Sequence, residues 1–311
     1  MLEHRLAKLA AFATFVLLVI GGTVNPTGSS LACPEPTFVC HGSLFPPMVG
    51  GVLYEHGHRL AAMTVGMLQI ALTISLFVRR PQLRRLSWLL LGLVIAQGAL
   101  GAITVKFKLP WFVSTSHLLL GMSYFATLIY TAFRTRPEPS ALELDRHEKL
   151  RDELGGARKW IAIACGAVFV QLLLGALVRH LGAAMVCLGM PTCTIGGDWW
   201  PDAAVQDLHM VHRAFGVIVA IATTAAAIVV WRRARSWPEL RLLALIAPLL
   251  VCAQIALGVA TVLTMRAVPL AVGHFAGAAS LWALWTSAWL MTGRRQPAVA
   301  IDMPVARVVP A

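Results

Sequence analysis

Four histidines lie in or at the edge of long apolar stretches of the 311-residue sequence, at His58, His117, His212 and His274. Each stands 17 to 21 residues before the first Arg at the far end of its stretch. At about 1.5 Å per helical residue, these intervals are roughly 26–32 Å, which is close to the thickness of a bilayer's hydrocarbon layer. We therefore expect all four imidazoles to lie at one depth, near one edge of that layer.

Imidazoles at equal depth suit the axial ligation of haem, because a porphyrin iron accepts one ligand from each face. An isolated histidine inside a membrane more often forms an interhelical hydrogen bond. Four histidines on four different helices instead favour two tetrapyrrole sites in the core of a helical bundle. Zinc is the weaker alternative, since no cluster of further Cys or carboxylate ligands accompanies the pairs.

Charged residues accompany two of the four histidines. Glu55 stands one helical turn before His58, where a carboxyl at the mouth of an apolar pocket can take part in proton transfer. A solvated residue at a helix start is the equally weighted alternative. Arg59 and Arg213 each follow a histidine directly, and each is expected either to extend to the headgroups or to contact a haem propionate.

The elements that must position these residues are membrane-spanning helices. The sequence is 58% hydrophobic and 13% charged, whereas soluble domains are roughly 45–50% apolar and about 25% charged. The apolar excess is concentrated in eight runs that are long enough to cross a bilayer. The runs are 9–24, 58–78, 86–105, 112–133, 160–179, 209–231, 240–263 and 270–291. They predict an all-α polytopic membrane protein.

The basic residues indicate the topology. The net charge is +12, and 20 of the 26 Lys and Arg fall in the termini and in alternate loops. Such residues accumulate on the cytoplasmic side, which predicts cytoplasmic N- and C-termini and histidines near the outer face. We therefore expect no nucleic-acid binding. Residues 1–33 also resemble a secretory signal peptide, but seven further spans favour an uncleaved first helix.

An internal repeat relates the two halves of the chain. The segments LVIAQGALGAITV at 93–105 and LVCAQIALGVATV at 250–262 match at nine of thirteen positions, and the same shift of 157 places His117 on His274. A shift of 154 places His58 on His212 and Glu55 on His209. The carboxyl therefore belongs to the first half only, which marks the first pair as the reactive one.

The repeat predicts two four-helix bundles related by an axis along the membrane normal. The expected division is an N-terminal half at 1–133, a cytoplasmic linker at 134–158, a C-terminal half at 159–295 and a cytoplasmic tail at 296–311. Residues 141–154 of the linker could form a short amphipathic helix, in which His147 is expected to be solvated.

Four of the six cysteines lie in equivalent outer loops, and the other two, Cys165 and Cys252, lie in predicted spans and are interpreted as small apolar residues. The loop cysteines are Cys33 with Cys40 and Cys187 with Cys193. Because the outer side is oxidising, each pair can form a disulfide. The spacing does not decide whether the first pair is structural or redox-active.

Together these features resemble the haem A synthase family, of the bacterial type with paired outer-loop cysteines. The resemblance covers about residues 5 to 293. It is carried by the glutamate, the four histidines, the two His-Arg pairs and the loop cysteines. These are Glu55, His58-Arg59, His117, His212-Arg213, His274, Cys33/Cys40 and Cys187/Cys193.

The resemblance implies oxidation of a methyl group of haem O to a formyl group by successive hydroxylations, giving haem A for haem-copper terminal oxidases. It implies that His212 and His274 ligate a haem b. His58 and His117 would hold the substrate haem O, with Glu55 assisting catalysis.

The resemblance also implies a setting in the bacterial plasma membrane. The expected partners are the lipid bilayer, a haem O synthase (protohaem farnesyltransferase), an unidentified electron partner and a second copy in a homo-oligomer. A di-haem b-type electron-transfer protein is the alternative, but it would normally place its haems towards opposite membrane faces. A repeat-built transporter would place polar residues at the midplane, where Gln97 and Gln254 are the main candidates.

Overall fold

The computed structural model describes residues 1–137 and 139–293, and within these ranges the chain forms nine α-helices and no named β-strand. The helices are α1 (Leu2–Val24), α2 (Gly50–Arg79), α3 (Arg84–Lys106), α4 (Trp111–Arg134), α5 (Ala141–Leu154), α6 (Ala157–His180), α7 (Ala204–Arg233), α8 (Pro238–Leu263) and α9 (Val268–Met291). The predicted tail at 296–311 lies outside the described residues.

Eight of these helices, α1 to α4 and α6 to α9, are long and apolar enough to cross a membrane. They confirm the all-α polytopic class and the eight predicted spans. Helices α2 and α7 have 30 residues each and begin at Gly50 and Ala204, well before the predicted starts at 58 and 209. At about 1.5 Å per residue such a helix exceeds the hydrocarbon thickness by roughly 15 Å. Hydropathy marks only the part of the helix that suits lipid, so it misses the polar first turns.

Helix α5 forms as expected in the linker between the two sets of spans. Ser140 caps it, with a capping box to Glu143, and its buried residues Leu150 and Leu154 belong to the core of the second half. His147 is not solvated as expected: it is half-buried, and its ring packs edge-on against Trp237 with the centroids 5.0 Å apart. A favourable aromatic contact thus replaces water on this side of the short helix.

The spans form two contacting groups. Helices α1 to α4 pack in sequence, with α4 returning to α1, and helices α6 to α9 do the same. The groups meet through α1 and α4 on one side and α6 and α9 on the other, where Trp282 Nε1 donates to the backbone oxygen of Met122 at 3.0 Å. Histidines on α2 and α4, and on α7 and α9, therefore come from diagonal helices of a four-helix group.

The connection between α3 and α4 has the same local geometry as the connection between α8 and α9. Two consecutive residues in each have a left-handed φ, Lys108 (56°) and Leu109 (65°) and, 157 positions later, Met265 (51°) and Arg266 (67°). The amide of Leu109 donates to Thr104 O at 2.7 Å, and that of Arg266 donates to Thr261 O at 2.7 Å. Such turns are costly for non-glycine residues, so their recurrence at one shift favours the predicted repeat. The axis that would relate whole halves remains a prediction.

Candidate haem-binding sites

Each of the four predicted histidines lies against a glycine of the preceding helix. The pairs are Gly21 with His58, Gly101 with His117, Gly175 with His212 and Gly258 with His274. A Cβ built on these glycines would lie 2.8, 3.3, 3.1 and 3.0 Å, respectively, from the Cε1 atom of the imidazole. These distances are at or below the short end of normal contacts, so the absence of a side chain is what lets each ring settle against the neighbouring backbone.

The structure places the two histidines of each half on diagonally opposed helices of one group. His58 and His117 lie on α2 and α4, and His212 and His274 lie on α7 and α9. The partner glycines lie three to five residues before the last residues of their helices, α1, α3, α6 and α8. These four helices alternate with the histidine-bearing ones along the chain, so all four run in the same direction through the bundle. Since each glycine is near the last residue of its helix, the four sites lie at corresponding ends of the bundle.

The ring nitrogens are distinguished by their surroundings. Nδ1 of His274 is hydrogen-bonded to the backbone oxygen of Gln254 at 2.9 Å, whereas Nδ1 of His58, His117 and His212 is buried without a partner in the described residues. A backbone carbonyl on one imidazole nitrogen leaves the other free to bind a metal. For His274 this free nitrogen is Nε2. All four histidines are only partly buried, so the residues present fit the axial ligation of two haems.

Three glutamines hold the backbone of three of the histidines. The Nε2 atoms of Gln97, Gln171 and Gln254 donate to the backbone oxygens of His117, His212 and His274 at 2.8, 3.0 and 2.6 Å. Each glutamine stands four residues before the partner glycine of that histidine. The first helix has Leu17 at this position, so His58 is the exception.

Sequence reasoning treated Gln97 and Gln254 as candidates for a transporter midplane and overlooked Gln171. The spacing Gln-x-x-x-Gly, which occurs on α3, α6 and α8, was the signal that could have identified all three. Their bonds to histidine carbonyls place them in the histidine sites.

Glu55 is 4% exposed and is engaged on both oxygens. Its Oε1 accepts a hydrogen bond from Arg59 Nη2 at 2.7 Å, and its Oε2 accepts one from the backbone amide of Cys33 at 2.9 Å. The carboxyl is therefore fixed between the helix that bears His58 and the loop that joins α1 to α2, and it is not solvated. His209, its counterpart in the repeat, is also buried, at 5% exposure.

Arg59 on α2 and Arg213 on α7 each hold the loop that precedes their helix and contains a cysteine pair. The guanidinium of Arg59 donates to four loop carbonyls, those of Cys33, Glu35, Thr37 and Val39, over 2.6–3.1 Å. The guanidinium of Arg213 donates to the carbonyls of Cys187, Gly189 and Thr192 over 2.6–2.9 Å. Neither side chain extends freely towards headgroups, and a contact with a haem propionate stays a prediction.

Both predicted disulfides are present, Cys33–Cys40 and Cys187–Cys193, and Cys165 and Cys252 are free, as expected. Each disulfide closes one of the loops that the arginines hold. In the first loop, Glu35 accepts hydrogen bonds from the amides of His41 and Gly42. The backbone amide of Glu35 itself lowers the pKa of its carboxyl most, and the amides of His41 and Gly42 lower it further. The charged form of Glu35 therefore helps to order the loop.

The chain matches the model of the COX15-CtaA family, described as cytochrome oxidase assembly protein, over residues 4–286. The chain belongs to this family. It is 30% identical over 270 residues to the Heme A synthase of Shouchella clausii, covering 85% of this chain and 87% of that protein. A Caulobacter Heme A synthase is 30% identical over 334 aligned positions (90% and 93% covered), and that of Bacillus licheniformis is 26% identical over 274 (86% and 89% covered).

Membership of the COX15-CtaA family confirms the resemblance expected from the sequence, and it agrees with a multi-pass membrane protein. In this COX15-CtaA chain, ligand atoms of His56, Cys33 and Cys40 lie within 4.8 Å of one another. Thiolates, not disulfide sulfurs, bind metals, so this group forms no thiolate metal site while the disulfide is intact. The histidine pairs remain the candidates for binding iron.

Proposed function

We propose that this protein is a haem A synthase, an oxidoreductase that converts the methyl group of haem O to a formyl group and so supplies haem A to haem-copper terminal oxidases. The observation that carries the proposal is the set of four histidines, two in each half, each seated on a glycine of the preceding helix. Relatives named Heme A synthase that align over most of the chain support it.

We propose that His212 and His274 hold a resident haem b and that His58 and His117 hold the substrate haem O. The iron of a bound haem supplies redox chemistry, and the protein supplies ligands and orientation. Both histidines of the second half have their carbonyls held by glutamine, whereas His58 does not. A rigid pair of ligands suits a permanent cofactor, and a less constrained pair suits a substrate that must enter and leave.

Glu55 is proposed as the acid–base residue of the first site. It lies one turn from His58, and its two oxygens accept one hydrogen bond each. A carboxylate has about four acceptor positions, so Glu55 keeps free positions at which it can exchange a proton while the methyl group is oxidised. Arg59 and the amide of Cys33 fix the direction of the carboxyl, which leaves little reorganisation for the reaction step.

The proposed setting follows from the distribution of charge and of sites. Basic residues in alternate loops support cytoplasmic termini and histidines near the outer face of the bacterial plasma membrane. The proposed functional units are residues 1–133 for the substrate and 159–295 for haem b, joined by 134–158. A haem O synthase as supplier, an electron partner and a homo-oligomer complete the proposal.

A di-haem electron-transfer protein is the second candidate. Transfer across the membrane would require sites near opposite faces, whereas the four partner glycines all lie near the ends of alternate helices. This arrangement favours the synthase.

The test is to express the chain together with a haem O synthase in a host that lacks haem A, and then to extract and chromatograph the haems. The synthase should yield haem A or its hydroxylated precursor. A membrane preparation that contains the protein with bound haem b, but neither product, would favour the electron-transfer protein instead.

A further inference from the structure

The last turn of α6, which belongs to the second half of the chain, contacts residues that lie beside both histidines of the first pair. Arg179 Nη2 donates to the backbone oxygen of Gly21 at 3.5 Å, and Gly21 is the residue on which the His58 ring lies. The next residue, His180, is hydrogen-bonded through Nδ1 to Thr115 Oγ1 at 3.1 Å. Thr115 stands two residues before His117 on α4, so α6 borders both predicted ligands of the substrate.

The charge of Arg179 is not neutralised by any carboxylate in the described part of the chain, where none of the ion pairs involves it. Its Nε atom is buried without a hydrogen-bond partner. Another cation, Arg266, acts unfavourably on it, and the ring of Phe275 lies 5.9 Å from its Cζ atom. The free carbonyls at the end of α1 and this aromatic ring offset only part of the charge. A cation desolvated in this way is costly unless an anion binds to it.

The substrate class of the proposed function carries such anions, because a haem has two propionate carboxylates. A guanidinium can bind a carboxylate through two parallel hydrogen bonds. The position equivalent to Arg179 in the first half, at the repeat's shift of 154, is the neutral Asn25. The first half therefore offers the second histidine pair no arginine at the end of α1 to match Arg179 at the end of α6.

We propose that Arg179 binds a propionate of the tetrapyrrole held by His58 and His117, and that it thereby selects substrates with free propionates. Arg179 is a specificity residue contributed by one half of the chain to the site of the other. This inference rests on the proposed function, since that function places a haem between these two histidines.

The test compares iron protoporphyrin IX with its dimethyl ester, in which both propionate charges are removed. Each is titrated into the full-length protein in detergent, with the resident haem in place, and binding is followed by the Soret difference spectrum. Arg179→Gln should weaken binding of the free acid about tenfold to a hundredfold, as for loss of a charged hydrogen bond, and leave the ester nearly unchanged. Arg179→Lys should retain part of the preference for the free acid, because it keeps the charge but not the planar fork.

Arg158→Gln is the matched control. Arg158 lies on the same helix at its opposite end, 4.0 Å above the ring of Trp289, and its Nε is also buried without a partner. This variant should leave both affinities unchanged. Equal weakening of acid and ester by Arg179→Gln would overturn the proposal and show Arg179 to be a structural cap of α1. Unchanged binding of the free acid would also overturn it.

Two further results separate this proposal from the proposed function. If Arg179→Gln misfolds and loses the resident haem, the Arg179→Lys variant provides the test instead. A lysine variant that keeps the full wild-type preference for the free acid would contradict bidentate binding. A lysine variant that binds the acid and the ester equally weakly would contradict it too. Haem A synthesis by the wild type is measured independently. A wild type that makes haem A while Arg179→Gln keeps its preference for the free acid refutes this inference alone.

Discussion

Replacing Gly175 with Ala should disturb the proposed haem b site through a single methyl group. The new Cβ would lie 3.1 Å from His212 Cε1, whereas ordinary contacts begin at 3.4 Å. The ring must therefore withdraw by about 0.3 Å, and because an imidazole is rigid, its Nε2 moves with it. Metal–ligand distances tolerate only about 0.2 Å of error, so the displacement exceeds what the iron–nitrogen bond can absorb without a change elsewhere.

The expected cost is that of overpacking, about 1–3 kcal/mol, which corresponds to roughly 5- to 150-fold weaker haem binding. The alanine has an opposite effect on the helix, because it favours helix formation over glycine by about 0.5–1 kcal/mol. Gly166→Ala, on the same helix, is the matched control, since a Cβ there meets nothing within 4 Å. It shares the gain in helix stability without the contact.

The assay is the ratio of low-spin haem b to protein after purification, together with the visible and electron paramagnetic resonance spectra. Gly166→Ala should match the wild type. Gly175→Ala should show reduced occupancy or a high-spin fraction. Equal occupancy and identical spectra for the two variants would refute the reasoning that the glycine seats the ligand.

Three further predictions concern the surroundings of the sites. Glu55→Gln should keep both haems bound but reduce haem A formation at least about 100-fold, the lower end of acid–base catalysis; near-normal turnover would remove Glu55 from the chemistry. Gln254→Leu should remove about 0.5–1.5 kcal/mol of haem-binding free energy and speed haem b loss from His274 roughly 2- to 10-fold, as measured by haem transfer to apomyoglobin. An unchanged rate would show that the hydrogen bond from Gln254 to His274 does not hold this ligand. Arg213→Gln should raise hydrogen–deuterium exchange in residues 187–193, and exchange as slow as in the wild type would show that other contacts order this loop.

The eight spans and the common end of the bundle at which the four histidines lie could be predicted from the sequence, because both depend on the bilayer. The length of the apolar runs reflects the hydrocarbon thickness, and the basic loops between them indicate the orientation of the helices. The same signal misses the early starts of α2 and α7 at Gly50 and Ala204, because polar residues in their first turns lower the hydropathy there. The disulfides were predictable from compartment and loop symmetry.

The contacts that fix the sites were not predictable in the same way, because they depend on the register between helices. Sequence spacing shows that Arg59 follows His58, but only the fold shows its guanidinium on four loop carbonyls. Likewise, Arg179 and Gly21 are 158 residues apart and meet only when the two halves pack together. The hydrogen bond from Gln171 to His212 also joins residues 41 positions apart, although the Gln-x-x-x-Gly spacing marks this glutamine in the sequence.

The central claim is that the two histidine pairs have different tasks, and its most direct test is the identity of the haem that each pair retains. His58→Ala and His212→Ala are each purified from cells that contain a haem O synthase, and the extracted haems are chromatographed. We predict that His58→Ala keeps haem b and carries little haem O or haem A, whereas His212→Ala loses haem b, retains haem O and forms no haem A. The opposite distribution, or loss of the same haem from both variants, would contradict the assignment.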